Sequence, residues 1–240
     1  MQEKLDFTFL TEEQIFGDNQ LEILKKYGTK CAITDFAILL RGHVSGADYT
    51  SEGISRKERT GWWWTKSSDG DNDARVVGTD GCSYWGNVND RNGGARPALP
   101  YSSISSISSN GVRGRNEILE VEYGEYPQTI VSEDFARTLE RAYSNRTIKQ
   151  TGKSYTTDSV NYYNTLMPFQ PRTHTEYEYK GNKYIRFVGD LNSSGSVLSD
   201  GRKVRDGGVY WIEVEPIKLI IDERTNIALS KKNIVFRSSV

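Results

Sequence analysis

The residues from Arg59 to Pro100 read RTGWWWTKSSDGDNDARVVGTDGCSYWGNVNDRNGGARPALP and hold four of the chain's five tryptophans. Three of these, Trp62, Trp63 and Trp64, are consecutive. Their neighbours are largely Gly, Asn, Asp and Ser, the residues of tight turns rather than of a plain core. Large aromatic side chains of low conformational entropy on a turn-rich frame are the composition of a binding surface. The pattern predicts short strands at 62–66, 73–78 and 82–88, the last two joined by the tight-turn pair Asp80-Gly81. Asn92-Gly93-Gly94 makes another turn before a last short strand near Arg96. Strand alternation puts Trp62 and Trp64 on one face and Trp63 on the other. Burying one face and exposing the other makes Trp63 the accessible ring. In the returning strand Ser83, Trp85 and Asn87 share a face, and Cys82, Tyr84, Gly86 and Val88 share the opposite one. Their polar neighbours argue against burial on both sides.

Outward from this segment, residues 11–27 read as a helix. Asp18 or Asn19 serves as a cap, Leu21, Ile23 and Leu24 are apolar, and Lys25-Lys26 precede Gly28. A second helix is predicted at 34–41, capped by Thr34 and stopped by Gly42. Residues 101–116, rich in Ser, Gly and Asn, read as a linker or surface loop. They divide the chain into 1–100, which holds the aromatic segment 59–100, and a β-rich part, 117–240. In that part a strand is expected at 118–123 and a helix from Ser132 to about Tyr143. Residues 144–173 read as polar and turn-rich. Strands are expected at 175–180, 183–188, 208–214, 217–222 and 226–230, with Gly181-Asn182 and Asp222–Thr225 as hairpin turns.

At 240 residues the chain is one large domain or two small ones. Its 32 acidic and 31 basic residues nearly cancel. No electrostatic footprint for nucleic acid or an anionic membrane is visible, so neither is expected as a partner. Cys31 and Cys82 are too few for a disulfide framework or a thiolate zinc site. The first residues lack the basic-then-apolar order of a signal peptide, and no apolar run approaches the ~18–20 residues that span a bilayer. The expectation is a soluble chain, cytoplasmic by default or carried on a surface or phage particle.

Signals for catalysis are poor. His43 and His174 sit in polar stretches with no motif around them. There is no Gly-x-Ser-x-Gly elbow, no phosphate-binding loop and no His-Glu-x-x-His. The turn Asp69-Gly70-Asp71-Asn72-Asp73 resembles the start of a calcium loop. However, Ala74 stands where that loop needs glycine and no Glu follows at the twelfth position, so a solvated turn is the default. No catalytic residue, metal or cofactor is expected.

One resemblance adds to this reading. Trp63-Trp64-Thr65-Lys66-Ser67, Ala74-Arg75-Val76-Val77, Asp80-Gly81, Val88 and Gly94-Ala95-Arg96-Pro97-Ala98-Leu99 resemble a bacterial domain family of uncharacterised function. Its members end in a WWLRSP…GVRPAL pattern. About 40 residues match closely, and Phe9–Glu13 and Ile33–Leu40 match more loosely. Gly124-Glu125-Tyr126-Pro127-Gln128 and Glu215–Asp222, continued by Ile227–Lys231, resemble the family's opening, so the order is reversed. The chain is then either a permuted single domain or the end of one unit followed by a truncated start of another. The resemblance implies an α+β, C-type-lectin-like fold of small twisted antiparallel sheets with two or three helices.

That fold also serves the variable proteins of diversity-generating retroelements and the formylglycine-generating enzymes. The enzymes' cysteine-based copper motif has no match around Cys31 or Cys82. For the variable proteins, Gly93 to Leu99 corresponds to the fixed anchor. The expected diversified, ligand-contacting positions are Trp63, Gly78, Thr79, Cys82, Ser83, Tyr84, Trp85, Asn87, Asn89 and Asp90, with Arg91 beside them. Most of these residue types arise from an asparagine codon altered at its adenines, whereas tryptophan needs another starting codon. The function implied is non-catalytic binding of a protein or glycan ligand on a cell or particle surface. A fixed structural module of a surface or phage particle and an enzyme on the same scaffold are the alternatives.

Overall fold

Strand β10, Val209–Asp222, is the spine of the molecule. Its main-core residues run Tyr210, Ile212 and Val214, then Ile217, Leu219 and Ile221. The inward phase therefore slips by one residue at Pro216, where the pairing register with the neighbouring strand also shifts. A proline has no N–H for the ladder, and a bulge absorbs both the missing donor and the extra residue. Gln128 stabilises this bulge by donating through Nε2 to the carbonyls of Glu215 at 3.0 Å and Pro216 at 2.9 Å. The two strands expected at 208–214 and 217–222 are thus one continuous strand. The proline that breaks the alternation does not break the pairing.

The computed structural model describes residues 7–44, 59–88, 90, 92–104, 119–159, 170–191 and 193–234. Its elements before the aromatic segment are α1 (Glu12–Phe16), α2 (Glu22–Tyr27), β1 (Ala32–Ile33) and α3 (Asp35–Leu39). The segment itself supplies β2 (Trp63–Ser68), β3 (Asp73–Val77), β4 (Ser83–Asn87) and β5 (Ala98–Pro100). Then come β6 (Glu120–Ile130), α4 (Glu133–Ser144), β7 (Lys149–Ser159), β8 (Gln170–Tyr179) and β9 (Asn182–Val188). After β10 come β11 (Ile227–Ser230) and β12 (Lys232–Asn233). The protein is an α+β molecule, mostly antiparallel sheet with short helices.

The large sheet runs β5-β11-β10-β9-β8-β7, with β6 along the other edge of β10. Its residues pack with α3 into the main core, where Phe36, Ile38 and Leu39 meet Leu99, Ile185, Phe187, Ile212 and Leu219. Residues from both sides of 101–116 therefore share one core. Three pairings bind them further: β5 lies antiparallel to β11, β1 lies parallel to β12, and Ala95 bridges Ile234. Asp35, buried at the start of α3, ties that helix to distant chain. Its carboxylate accepts from Ile130 N at 3.0 Å, Ser199 N at 2.7 Å and Ser199 Oγ at 2.6 Å.

The small sheet, β2-β3-β4, stands apart and packs one face on a second core with Leu10, Ile15, Leu21, Leu24 and Cys31. The helix expected over 11–27 is two helices. Thr11 closes a capping box with Gln14 on α1, and the chain then turns through Gly17 before Leu21 opens α2 without a side-chain cap. Thr34 caps α3 as expected, its Oγ1 accepting from Ala37 N at 3.2 Å. Residues 144–173 are not all turn. Lys149–Ser159 is a strand whose backbone is satisfied by β8, although its side chains are polar and its apolar period is weak. Of the stretch 101–116, Tyr101–Ser103 is a 3-10 turn and Ile104 is buried, while the rest lies outside the described residues. The Lys180–Gly181 turn joins β8 to β9 with both residues at positive φ, 52° and 84°, as a two-residue hairpin demands.

Candidate functional site

Register decides which aromatics face where. In the small sheet Trp63 pairs with Val77 and Trp64 with Val76, and across the next ladder Val77 pairs with Ser83 and Val76 with Tyr84. One face therefore carries Trp63, Val77 and Ser83, and the other carries Trp62, Trp64, Val76, Tyr84 and Gly86. The first face is the buried one. Trp63 is 0% exposed, and its indole N–H donates to Thr29 O at 3.2 Å. The guanidinium of buried Arg96 lies 5.2 Å from its ring centre. The expectation that Trp63 faces solvent is overturned. The helical segment 10–24 covers the central residue of the triplet and leaves its two neighbours half-exposed.

On the opposite side lies an open cleft of about 470 Å³. Trp62, Val76, Tyr84 and Gly86 of that face line it. Trp85 borders it from β4, although its register with Arg75 assigns it to the Ser83 face, and the polar rim is His43, Gly78, Thr79, Asp80, Asp90 and Asn92. Tyr84 and Trp85 are 49% and 66% exposed, the latter on the sheet's outermost strand. Trp62 and Trp64 meet edge to face with ring centres 4.9 Å apart. Gly93 makes that packing possible, because a Cβ there would lie 2.4 Å from both indoles. His43 is held to the rim by its backbone, which donates to Asn92 O at 2.8 Å.

Asp80 is the best-fixed polar group of the cleft. Its Oδ1 accepts from Cys82 N at 3.0 Å and its Oδ2 from the Tyr84 hydroxyl at 2.6 Å. The tyrosine bond holds the Asp80 carboxyl below the usual aspartate range, against a small opposing effect of burial. The same bond raises the Tyr84 phenol. Around neutral pH the pair is therefore a carboxylate and a neutral phenol.

Of the residues singled out in the sequence, Gly78, Thr79, Tyr84, Trp85 and Asp90 line this cleft. Ser83 belongs to the other face, where its Oγ donates to Glu12 at 2.6 Å. Asn87 shares Ser83's face by alternation, and Cys82 is an exposed free thiol. Asn89 and Arg91 lie outside the described residues. Trp62, His43, Asp80 and Asn92 were missed. Alternation in the triplet was the signal for Trp62, but nothing local in the sequence brings His43 there.

The acidic turn at 69–73 is closed by Asp69 N donating to Asp73 O at 2.9 Å, and the Asp69 carboxylate faces Arg75 at 3.3 Å. Among the described residues no three His, Cys, Asp or Glu side chains are gathered to hold a metal ion, and no helix is long and apolar enough to cross a membrane. His174 is far from the cleft and buried. It stacks on Phe187 with ring centres 5.2 Å apart, and burial, with Arg172 nearby, lowers its pKa to about 4. No protein-family model, curated protein or solved structure matches this chain.

Proposed function

We propose that the chain is a non-catalytic, receptor- or adhesin-like binding protein on a permuted C-type-lectin-like scaffold, and that it is a variable protein of a diversity-generating retroelement. The observation that carries the binding reading is the cleft itself. Tyr84 and Trp85 stand in solvent on a separate small sheet beside half-buried Trp62, ringed by short polar side chains. Exposed aromatic anchors of this kind supply most of the energy at protein interfaces, and adaptable polar neighbours tune the fit. The small sheet rests on its own core through Trp63 and Val77, so its outer face is free to change without disturbing the frame. The contact set is Trp62, Tyr84 and Trp85 with Asp80, Asp90 and Asn92, in place of one centred on Trp63.

Two experiments test this reading. Arrays of surface glycans and peptides are probed with the wild type, Tyr84→Ala and Trp85→Ala. Ligands should weaken about tenfold or more in both variants, a loss of ~1.4 kcal/mol or more, with melting temperatures unchanged. Ligands that bind all three proteins equally would turn the reading towards a structural module. Population sequencing of the gene should show adenine-confined variation at codons for exposed positions such as 84, 85 and 90. Variation spread evenly along the gene would remove the retroelement reading.

A further inference from the structure

This inference rests on the binding reading above and concerns what the cleft selects. The carboxylates of its described lining are Asp80 and Asp90, His43 stands beside them, and no lysine or arginine is among the lining residues. Elsewhere in the chain the exposed or half-buried rings carry their own cations: Arg186 lies 4.8 Å from the Tyr143 ring centre and Lys153 lies 5.0 Å from that of Tyr155. Among the described residues the rings of Trp62, Tyr84 and Trp85 carry none. A ring's π-face attracts an ammonium or guanidinium group, and the attraction grows as the group loses water. A fixed carboxylate beside such rings adds a direct charge partner. Asp80 is that carboxylate, and its hydrogen bonds to Cys82 N and the Tyr84 hydroxyl hold it at the cleft's edge.

The cleft also borders β4, the outer strand of the small sheet, which pairs only with β3 among the described strands. An outer strand offers its backbone to an extended peptide, and alternate side chains of that peptide then enter neighbouring pockets. We infer that the Trp62–Tyr84–Trp85 cleft binds the cationic side chain of an extended basic peptide segment, with Asp80 and Asp90 as its charge partners.

The probe is an acetylated, amidated seven-residue peptide of alternating threonine and valine with one central lysine, titrated by calorimetry and by the indole N–H signals of Trp62 and Trp85. The lysine peptide should bind about tenfold more tightly than the same peptide carrying norleucine, a preference worth ~1.4 kcal/mol. Asp80→Asn keeps the acceptor for Cys82 N, and it should cut the lysine-to-norleucine ratio from about tenfold to about twofold or less, whatever it does to the affinity of either peptide alone; an unchanged ratio overturns Asp80 as the charge partner. Equal binding of the two peptides overturns the cation preference and leaves the binding reading in place. Binding to phosphatidylcholine vesicles, with no peptide bound, overturns the peptide as occupant. Glycan-array binding without any peptide binding overturns this inference alone. Silence in every assay overturns both this inference and the binding reading.

Discussion

Replacing Trp63 by alanine removes the largest fully buried side chain of the small sheet, whereas replacing Trp85 removes one that is 66% exposed. The first substitution opens a cavity among Leu10, Leu21, Leu24 and Val77. Core Trp→Ala changes cost about 3–5 kcal/mol. The guanidinium of buried Arg96 loses the ring it faces at 5.2 Å, which adds about 1 kcal/mol or more. Thr29 O loses the indole donor but keeps a 3.4 Å contact with Arg96. The sum is about 5 kcal/mol, comparable to the whole stability of many domains. At ~2–4 °C per kcal/mol for a chain of this size, the melting temperature should fall by roughly 10–20 °C. Trp85→Ala should stay within about 0.5 kcal/mol. Urea titrations and thermal melts followed by far-ultraviolet circular dichroism read both. A loss under about 2 kcal/mol for Trp63→Ala, or one above about 1 kcal/mol for Trp85→Ala, would refute the placing of Trp63 in the core and Trp85 at the surface.

Three further outcomes follow from particular contacts. His174 titrates near 4 in the folded chain against an ordinary value near 6.5, so the unfolded chain takes up its proton first. Its contribution is fully present above pH 6.5 and falls by roughly 3 kcal/mol as pH drops to 4. His174→Gln should flatten that limb in urea titrations between pH 7 and pH 4, and parallel profiles would count against it. Glu140 accepts from Arg186 and from the Trp211 indole at 2.9 Å. Glu140→Ala should cost about 2–3 kcal/mol by stranding the buried N–H, read by denaturant midpoint, with Glu140→Gln recovering part of it. At Gly78 a Cβ would lie 2.6 Å from the Tyr84 ring and 2.7 Å from Asp80. Gly78→Ala should therefore weaken any Tyr84-dependent ligand at least fivefold while stability falls by about 1–3 kcal/mol. Unchanged affinity would show that the ring need not stay on Asp80.

The strands of the aromatic segment were legible because turn residues bracket them so sharply. Asp80-Gly81 and Gly181 fix hairpins on their own, and Thr34 and Ser132 announce their helices. The choice of face was not legible. Alternation says that Trp63 opposes Trp62 and Trp64, but only tertiary packing says which side meets the helices. Three polar-flanked tryptophans carry no local mark of it. Lys149–Ser159 was missed because a strand polar on both sides has no apolar period to read. The single strand through Pro216 was missed because the proline shifts the phase while a side chain 88 positions away, Gln128, satisfies the bulge. His43 is brought to the cleft by its backbone bond to Asn92 and the neighbouring Val44–Gly61 bridge, contacts that no sequence window contains.

The pairing of β5 with β11 has a consequence for synthesis. Leu99 leaves the ribosome long before Ala228, the residue it faces in the sheet. At ~5–20 residues per second the interval is on the order of ten seconds. Until β10 and β11 are made, Phe36, Ile38, Leu39 and Leu99 lack the part of the main core that Ile212, Leu219 and Ala228 supply, although the core residues of β6 and β9 emerge earlier. The nascent chain thus keeps an apolar surface and an unfinished sheet edge open until β10 is made. Completion of the main core must wait until β10 and β11 emerge.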